Sequence, residues 1–572
     1  MANDLPSLPL PDLPETLSRT LEWLEPVTDD KTWDISRAAL EQFMAEEGSQ
    51  LQAELQRTDP ETGLPYWDFD VIAEQRLRDH RSLPLSGNIA LAVDWHAPQR
   101  GLKRVAHFIN AVLHVHAEYL AGKLPPEKNP DGQPLCMAQW EILRGMSRRP
   151  HIPVDQYRTA APEAARHIVV IHGGYGWKIR VLDERLRIAN PAQIEKALYA
   201  IIENEEESAE IPFGAPSILA AQNALEVRAQ LVCRDDNRRI WELVEDALFV
   251  VSLDARRYND STDGLYDALF GGAAELWAYK PLNYCCHYRD DRIYLHAECS
   301  RTNTATLQAI VHRAQHHHDN HQYQCKNGLP ANLDLVPLVW TIEQNTEELI
   351  RDGLAQYQQQ AEKMALSAVD IFLTDEDRKI LRDMPGDAFI QLLLQYAQRE
   401  VYGIIRSIRE AVDMRHFRHG RLDIMRPVTQ ASLAAAEAMH DGSLTRYQIG
   451  QCVEEHQARL ALCREGQGIH YHLLALQEAS RRLENPSALF RDEGLRLLNE
   501  DFLHTATLGA YNGIAGMAFA PRHPQGMSIH YAFNRNNINI MITHRRVDLL
   551  HVKTLGQALR AGVRQIVSVL GS

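Results

Sequence analysis

The pattern of apolar and polar positions changes several times along the chain between helical and strand spacing. Leu17, Leu21 and Leu24 recur at three- and four-residue intervals and predict a helix from about Thr16. Further stretches with helical spacing lie at about 186–207, 215–250, 342–370 and 387–412. Strand-like runs lie near 291–299, 514–520 and 527–543. This mixture predicts an α/β or α+β protein rather than a helical bundle or a β-sandwich.

One segment has the pattern of a β-hairpin. Arg166–Asp183 reads as two apolar runs around a glycine-rich turn, GGYG. A phosphate-binding loop would need a Lys-Ser/Thr pair after the glycines and a helix behind them, and here another strand-like run follows. We therefore interpret the glycines as a turn.

Length and charge narrow the class of protein. A chain of 572 residues with 45% hydrophobic composition exceeds what one core usually organises, so two large domains are expected. The net charge of −16 argues against nucleic acid as a partner, because phosphate binding needs clustered cations. Eight cysteines without CxxC spacing fit a reducing compartment, and no apolar run is long enough for a membrane span. These features predict a cytoplasmic protein.

Several sequence blocks, in order over roughly residues 5–570, resemble those of the carnitine/choline acyltransferases. The blocks are LPSLPLPDLPETLSRTLEWLEPV, RHIVVIHGGYGWKIRVLD, WELVEDALFVVSLD, ELWAYKPLNYCCHYRDDRIYLHAECS, PGDAFIQLLLQYAQREVYG, FRHGRLDIMRP, GIHYHLLALQ and HTATLG. The resemblance implies two chloramphenicol-acetyltransferase-like α/β domains with an active-site tunnel at their interface. It places the first domain at 85–341 and forms the second from 1–84 with 342–572.

The resemblance also locates a catalytic position. The family has a Glu-His pair followed by an acidic residue, and the ungapped match puts Glu298, Cys299 and Asn303 at these positions. A thiol is a poor general base for an alcohol but a good nucleophile once it is ionised. We therefore predict that Cys299 accepts the acyl group as a thioester. The alternative is a small buried cysteine that takes part in no reaction.

Two histidines near Cys299 are candidate bases. His296 precedes it by three residues on the same predicted strand, so an ideal pleat points the two side chains to opposite faces. A bulge would be needed to bring His296 into the site, and a core or surface role fits it better. His287, on the neighbouring predicted strand, is the other candidate.

The HTATLG block falls where the family has its Ser-Thr-Ser motif. The match retains hydroxyls at Thr505 and Thr507 and places Thr507 where the family stabilises an oxyanion. A preorganised hydroxyl beside a developing negative charge contributes about 3 kcal/mol in comparable sites. The alternative interpretation of Thr507 is an ordinary strand threonine.

The substrate-binding positions of the family have changed. Its carnitine-binding arginine corresponds to Tyr471, a threonine to Leu422 and a tyrosine to Arg409, while Arg421 and Arg426 remain nearby. Tyrosine cannot replace the bidentate contact of a guanidinium with a carboxylate. We therefore expect a small acceptor other than carnitine, with Arg421 and Arg426 either binding it or ordering their loop.

The donor side has changed as well. Glu376, Ile380 and Asp383 stand where the family places lysines against the phosphates of coenzyme A, and acidic groups there repel phosphate. The adjacent basic residues that would compensate are Arg378, Lys379 and Arg382. Acyl-CoA and the phosphopantetheine thioester of an acyl or peptidyl carrier protein are both candidate donors, and no tightly bound cofactor is expected.

A histidine-rich run, His316–His318 with His321, suggests metal binding, and His312 with His316 has the spacing that chelates on a helix. The chain contains 26 histidines overall, and the match places this run on the outer end of a helix. We therefore expect a solvated surface and no metal site.

Together these observations predict an acyltransferase that moves an acyl group from a thioester donor to an alcohol, amine or thiol. The alternative is a non-catalytic descendant that binds a ligand or a protein partner in the same tunnel.

Overall fold

The computed structural model describes residues 5–57, 67, 71–204, 209–272, 275–320, 329, 332–484, 486–510 and 513–572. Within them the strands are β1 (Ile89–Val93), β2 (Met146–Arg149), β3 (Gln156–Thr159), β4 (His167–His172), β5 (Tyr175–Arg180), β6 (Val250–Asp254), β7 (Asn283–His287), β8 (Arg292–Ala297), β9 (Leu335–Leu338), β10 (Met364–Phe372), β11 (Ile408–Asp413), β12 (Leu422–Met425), β13 (Leu503–Ala510), β14 (Ile514–Phe519), β15 (Met527–Phe533) and β16 (Asn537–Arg545).

The α-helices of the same residues are α1 (Leu13–Leu24), α2 (Asp30–Ala45), α3 (Gly48–Gln56), α4 (Val71–Leu77), α5 (Gly101–Leu120), α6 (Pro191–Ile202), α7 (Ala221–Val232), α8 (Asp235–Asp246), α9 (Ser261–Tyr266), α10 (Thr304–Asn320), α11 (Gln344–Ala361), α12 (Asp375–Ile380), α13 (Gly386–Tyr402), α14 (Gln430–His440), α15 (Arg446–Arg464), α16 (Ile469–Arg482), α17 (Glu493–Leu498) and α18 (Leu549–Gly571). None of them has both the length and the apolar character that a membrane span requires.

Two large sheets organise the protein, which confirms the predicted mixed α/β class. The larger has eight strands in the order β14-β1-β8-β7-β6-β4-β5-β9, and the smaller has six in the order β10-β16-β15-β13-β11-β12. In the smaller sheet β13 runs parallel to both β11 and β15. A separate two-stranded sheet joins β2 and β3.

One strand links the two halves of the chain. Every strand of the smaller sheet lies within 342–572, and the strands of the larger sheet lie within 85–341 except β14. β14 pairs antiparallel with β1 at the edge of the larger sheet, with Phe519 opposite Ile89. The second half of the chain therefore completes the sheet of the first half. The domain boundaries themselves stay a prediction.

The predicted hairpin at 166–183 is present, as β4 and β5 pair in antiparallel register from His167 to His172. The two-residue connection is Gly173-Gly174, with φ values of 58° and 81°. Two consecutive positive φ values suit a tight hairpin turn and favour glycine at both positions. The glycine-rich segment is thus a turn.

Two of the predicted helices extend too far. The segment 342–370 is helical to Ala361 and then forms β10, which pairs with β16 along its whole length. The segment 387–412 is helical to Tyr402 and then forms β11. The second helix ends at Gly403, whose φ of 71° is the left-handed conformation typical of a helix C-terminus. Pairing with neighbouring strands overrides the local helical pattern in both tails.

The other predicted elements are found with shifted ends. In 186–207 the helix begins at Pro191, and the Asn190 side chain caps it. The stretch 215–250 holds two helices, α7 and α8, before β6 begins at Val250. The strands predicted near 291–299 and 514–520 are β8 and β14, and 527–543 covers β15 and β16.

Candidate functional site

A cavity of about 150 Å³ lies where the two sheets meet. The larger sheet contributes Ile89, Phe519 and the segment that follows β8, which carries Cys299. The smaller sheet contributes Arg409 from β11 and His504 from β13. Because Ala297, the last residue of β8, pairs with Ile89, the chain leaves the sheet beside the cavity and delivers Cys299 into its wall.

The Cys299 thiol is buried and unactivated. Burial is the largest influence on its pKa and raises it to about 12. Arg76 lowers this pKa, Glu298 raises it and Arg421 lowers it. The two guanidiniums donate to the backbone carbonyl of Cys299, with Arg421 Nη2 at 3.4 Å, and the Sγ itself lies 3.7 Å from the Ala297 carbonyl oxygen. At neutral pH the thiol is therefore protonated.

Glu298 fixes the turn around Cys299. One of its carboxylate oxygens accepts hydrogen bonds from the backbone and side chain of Ser300 at 3.0 and 2.5 Å. The same oxygen lies 3.4 Å from a nitrogen of Arg148, which is itself paired with Asp155 at 2.7 Å. The Glu298 charge is thus compensated by a buried arginine and held beside the cavity.

Arg421 orders the segment that follows Cys299. Its guanidinium donates to the carbonyls of Ser300 at 3.0 Å and Thr302 at 3.3 Å, and to Asn303 Oδ1 at 3.1 Å. Asn303 lines the cavity, as the sequence match suggested. Arg421 therefore positions the loop rather than pointing freely into the cavity.

The two histidines considered as bases lie elsewhere. His296 is fully buried on the opposite face of β8, where its Nε2 lies 2.8 Å from Asn88 Nδ2 and its Nδ1 lies 2.9 Å from the Ala268 carbonyl oxygen. Burial lowers its pKa to about 4. His287 pairs with Arg292 at the far end of β8, roughly 20 Å from Cys299 at the usual rise of a strand. Neither lines the cavity.

Strand alternation also separates the HTATLG residues. His504 and Ala506 line the cavity, so Thr505 and Thr507 face the other side of β13. Thr505 Oγ1 donates to the Arg409 carbonyl at 2.8 Å, and Thr507 Oγ1 accepts from the Gly509 amide at 3.2 Å. The hydroxyls expected at an oxyanion thus do not reach the cavity wall.

His504 is the histidine that the sequence analysis missed. Burial and the charges of Arg409 and Arg522 lower its pKa well below the ordinary value, so the imidazole is neutral. Its Nδ1 is buried without a hydrogen-bond partner among the described residues. Side chains alternate between the two faces of a strand, the same argument that separates His296 from Cys299. In HTATLG this alternation places His504 and Ala506 on one face.

A second cavity of about 450 Å³ adjoins the first and shares Gln75, Arg409 and Arg522 with it. At its wall three guanidiniums surround the carboxylate of Asp501. Arg426 Nη1 lies 2.5 Å from a carboxylate oxygen, Arg522 Nε 2.8 Å and Arg409 Nη1 3.3 Å. The structure therefore brings together Arg409 and Arg426, which the sequence analysis named as substrate-binding.

Tyr471 and Leu422 lie apart from this cluster. Tyr471 lines a small cavity of about 20 Å³, where its amide donates to Asp423 Oδ1 at 3.2 Å and its ring meets Trp67 edge-on at 5.2 Å. Leu422 lines both this small cavity and the one that contains Cys299. Tyr471 thus does not line either of the two larger cavities.

The basic residues considered for the donor lie on or just after the short helix α12. Arg378 is tied to Asp375 and Asn536, whereas Lys379 and Arg382 are exposed. None of them lines the three cavities described above. Their role toward coenzyme A or a carrier stays a prediction.

The histidine-rich run occupies the end of α10. His312 and His316 are exposed, and His317 lies 3.3 Å from Glu118. His321 falls outside the described residues.

Elsewhere in the described chain, one group of three residues has potential metal-ligand atoms within 4.8 Å of one another: Asp254, Asp267 and His287. Arg256 forms ion pairs with the carboxylates of both Asp254 and Asp267.

A family profile described as Choline/Carnitine o-acyltransferase matches residues 8–560. The chain belongs to this family. This chain is 25% identical to Choline O-acetyltransferase of Drosophila melanogaster, with 92% of this chain and 82% of that protein covered. It is 24% identical to Carnitine O-acetyltransferase of Homo sapiens, covering 94% and 89%, and 23% identical to the mitochondrial Carnitine O-palmitoyltransferase 2 of Rattus norvegicus, covering 93% and 86%.

Among solved structures, TRI3 Trichothecene 15-O-acetyltransferase from Fusarium sporotrichioides covers 86% of this family member and is itself covered to 94%, at 10% identity and a TM-score of 0.40. Overlap at this level carries no inference about chemistry. The sequence matches confirm the predicted family and place the chain among the choline/carnitine acyltransferases. That Cys299 stands on the family's histidine position stays a prediction.

Proposed function

We propose that this family member transfers an acyl group from a thioester donor to a small acceptor other than carnitine, with Cys299 carrying the acyl group in between. The observation that supports this most directly is the position of Cys299 in the wall of the cavity between the two sheets. Its loop is held by Glu298 and Arg421 on either side. A nucleophile needs such a fixed position at the edge of a substrate-sized space.

The proposed transfer balances without an external reagent. Cys299 Sγ bonds to the acyl carbon, the bond between that carbon and the donor sulfur breaks, and the Cys299 proton ends on the departing thiol. In the second step the acceptor attacks the thioester, and its proton returns to Cys299. His504 lines the same wall and is our candidate for moving these protons. Burial and the charges of Arg409 and Arg522 lower its pKa, so it is a weak base until an anion offsets these charges.

The exclusion of carnitine follows from charge. Carnitine carries a quaternary ammonium as well as a carboxylate, and the two larger cavities share Arg409 and Arg522, which favour the carboxylate but oppose the ammonium. A fixed cation beside these guanidiniums is repelled in a partly buried space. Tyr471, at the family's carnitine-binding arginine, lines a different and smaller cavity.

The donor is an acyl-CoA or an acyl group on the phosphopantetheine of a carrier protein. Both present the same thioester, so the chemistry at Cys299 is common to them. Exposed Lys379 and Arg382 stand among the acidic residues Glu376 and Asp383, which weakens the attraction for the phosphates of free coenzyme A. A carrier protein brings further contacts of its own.

One observation favours a second candidate, a family member that binds a ligand without acyl transfer. Burial raises the pKa of the Cys299 thiol to about 12, so about one molecule in 10⁵ holds a thiolate at neutral pH. A cysteine that serves packing needs no ionisation.

Intact-mass measurement separates the two candidates. The protein is incubated with acetyl-CoA, octanoyl-CoA and the corresponding acyl carrier protein, and one added acyl group is expected with at least one donor. The adduct should be cleaved by hydroxylamine and be absent in Cys299→Ala. Cys136→Ala is the matched control, because Cys136 is equally buried but lies outside the cavity.

Absence of an adduct with every donor favours the ligand-binding candidate. Undiminished acyl transfer by a folded Cys299→Ala protein eliminates the covalent step and leaves His504 to act as a base on the acceptor. Appreciable turnover of carnitine would contradict the proposed acceptor class.

A further inference from the structure

The guanidiniums around Asp501 outnumber the anionic groups available to them. Arg409, Arg426 and Arg522 all contact this one carboxylate, and Asp423 is a further carboxylate whose charge acts on Arg409 and Arg426. Arg409 and Arg426 are both buried, with exposed fractions of 6% and 2%. Buried charges are normally paired, because removing them from water without a partner is costly.

The other acidic residues that line these two cavities are Asp79, Glu298 and Asp492, and each has a partner of its own, Arg148 in the case of Glu298. Asp492 caps α17 and accepts from Ser36, and Asp79 pairs with Arg81. Asp423, on the strand next to Arg409, accepts from the amides of Ile424 and Tyr471. These amide hydrogen bonds leave the Asp423 charge in place, so Asp423 offsets part of the charge of Arg409 and Arg426, and the remaining positive charge lines the cavity.

Arg409 carries a second, independent sign of a missing partner. Its Nε is buried and has no hydrogen-bond partner among the described residues. The side chain lies on β11 beside His504 of β13 and lines both cavities. A buried guanidinium nitrogen without an acceptor, at the wall of an open space, indicates an oxyanion that the free protein lacks.

We propose that the 450 Å³ cavity binds a carboxylate or phosphate group of the acceptor at Arg409, Arg426 and Arg522. Guanidiniums bind both groups through paired N–H donors. From there the remainder of the acceptor extends past Gln75 and Arg409, two of the three residues that line both this cavity and the one at Cys299. The acceptor is therefore a small anionic molecule that has a hydroxyl, amine or thiol at its other end and lacks the quaternary ammonium of carnitine.

The protein as a whole carries a net charge of −16, so this cationic site is a local exception to its field. The assignment of the bound anion to the acceptor rests on the proposed acyl transfer. Anion binding itself is independent of that transfer, because it is measured without any acyl donor.

The test titrates the intact protein with inorganic phosphate and, separately, with succinate, at an ionic strength held constant with sodium chloride. Calorimetry and thermal unfolding are the readouts. Saturable binding of one or both anions is expected, and the two arms distinguish a phosphate group from a carboxylate. Choline chloride should give no saturable signal.

Arg522→Gln should weaken this binding by about tenfold or more, as expected for loss of a charge-assisted hydrogen bond. Arg522 is the suitable first variant because its side chain is 38% exposed, so the fold should tolerate the change. Arg37→Gln is the matched control, with a side chain that is 46% exposed on the surface helix α2, and it should bind as the parent does.

Asp501→Asn should change anion affinity in the opposite direction, because it removes the carboxylate that competes with the bound anion for the three guanidiniums. Where it folds, it should bind the anion more tightly and gain more thermal stability from it than the parent protein. The proposal is overturned if neither anion binds saturably, or if Arg522→Gln and Asp501→Asn bind like the parent. Anion binding without any acyl adduct on Cys299 would retain this site and reject the proposed transfer.

Discussion

Cys299 and Asp501 are two buried acids in adjoining cavities, and both have guanidinium neighbours, yet their pKa values shift in opposite directions. Burial is the largest influence on each and raises both. At Cys299 burial prevails, and the thiol pKa reaches about 12. At Asp501 the charges of Arg426, Arg409 and Arg522 prevail, and the carboxyl pKa falls well below its usual range.

The difference lies in where the guanidiniums point. At Asp501 three of them contact the carboxylate oxygens directly. At Cys299 the guanidiniums of Arg76 and Arg421 donate to the backbone carbonyl, and among the described residues none donates to the sulfur. Proximity of positive charge is therefore insufficient to ionise a buried group, since direct hydrogen bonding is also needed to offset desolvation.

The largest effect is expected from breaking the Asp501 side of this comparison. Asp501→Asn leaves Arg409 and Arg426 buried without a countercharge, so the free energy of unfolding should fall by about 3–5 kcal/mol at neutral pH. Chemical denaturation measures this value. Asp34→Asn, which removes an exposed partner of Arg37, should change it by less than about 0.5 kcal/mol.

The pH dependence of this loss has a defined sign. Because the folded-state pKa of Asp501 lies below its unfolded value of about 3.9, its stabilisation is fully present above that pH and is lost as pH falls. The gap between parent and Asp501→Asn should therefore be widest near neutrality and narrow below about pH 4. A gap independent of pH would show that Asp501 acts through packing instead of charge.

The next effect concerns the Cys299 side. With a thiol pKa near 12, the thiolate fraction rises about tenfold per pH unit, so alkylation of Cys299 by iodoacetamide should increase about 100-fold from pH 7 to pH 9. Peptide mass spectrometry after timed quenching measures the rate at this residue. A free thiol of pKa about 8.5 begins to level off in this range and serves as the reference. Levelling off at Cys299 would reveal an activated thiol.

Sequence and structure agree best where a pattern is both local and periodic. The hairpin at 166–183 and the strands β8 and β14 follow from apolar runs and glycine positions. The tails of the helices at 342–370 and 387–412 were misassigned because β10 and β11 are stabilised by partners distant in sequence. Their local composition gives little sign of this pairing.

The site was harder to predict, for a physical reason. The match to the family identified Cys299 and Asn303 in the cavity wall and the pair Arg409 and Arg426. Arg522 and Asp501 were missed, since a charge cluster assembled from separate loops and strands leaves no spacing in the sequence. His504 was within reach of the sequence, because strand alternation alone places it opposite Thr505 and Thr507.

A smaller effect sharpens the account of the Cys299 pKa. After burial, Arg76 lowers this pKa and Glu298 raises it, so removing each charge should act in opposite directions. Arg76→Gln should slow alkylation of Cys299, and Glu298→Gln should accelerate it, each by less than the change from pH 7 to pH 9, because burial is the largest influence on this pKa. Arg37→Gln is the control without effect. Equal changes in both variants would point to altered access to the cavity instead of altered charge.

The smallest effect is expected at Thr507, which distinguishes the two faces of β13. Its hydroxyl accepts from the Gly509 amide and faces away from the cavity that His504 and Ala506 line. Thr507→Ala should therefore leave acyl loading of Cys299 within about twofold of the parent, whereas loss of a true oxyanion donor costs 10²-fold or more. Initial rates of loading by intact mass, at equal folded fractions, measure this. A loss near 10²-fold would show that β13 turns its threonines toward the acyl group during the reaction, and the assignment of its faces would be wrong.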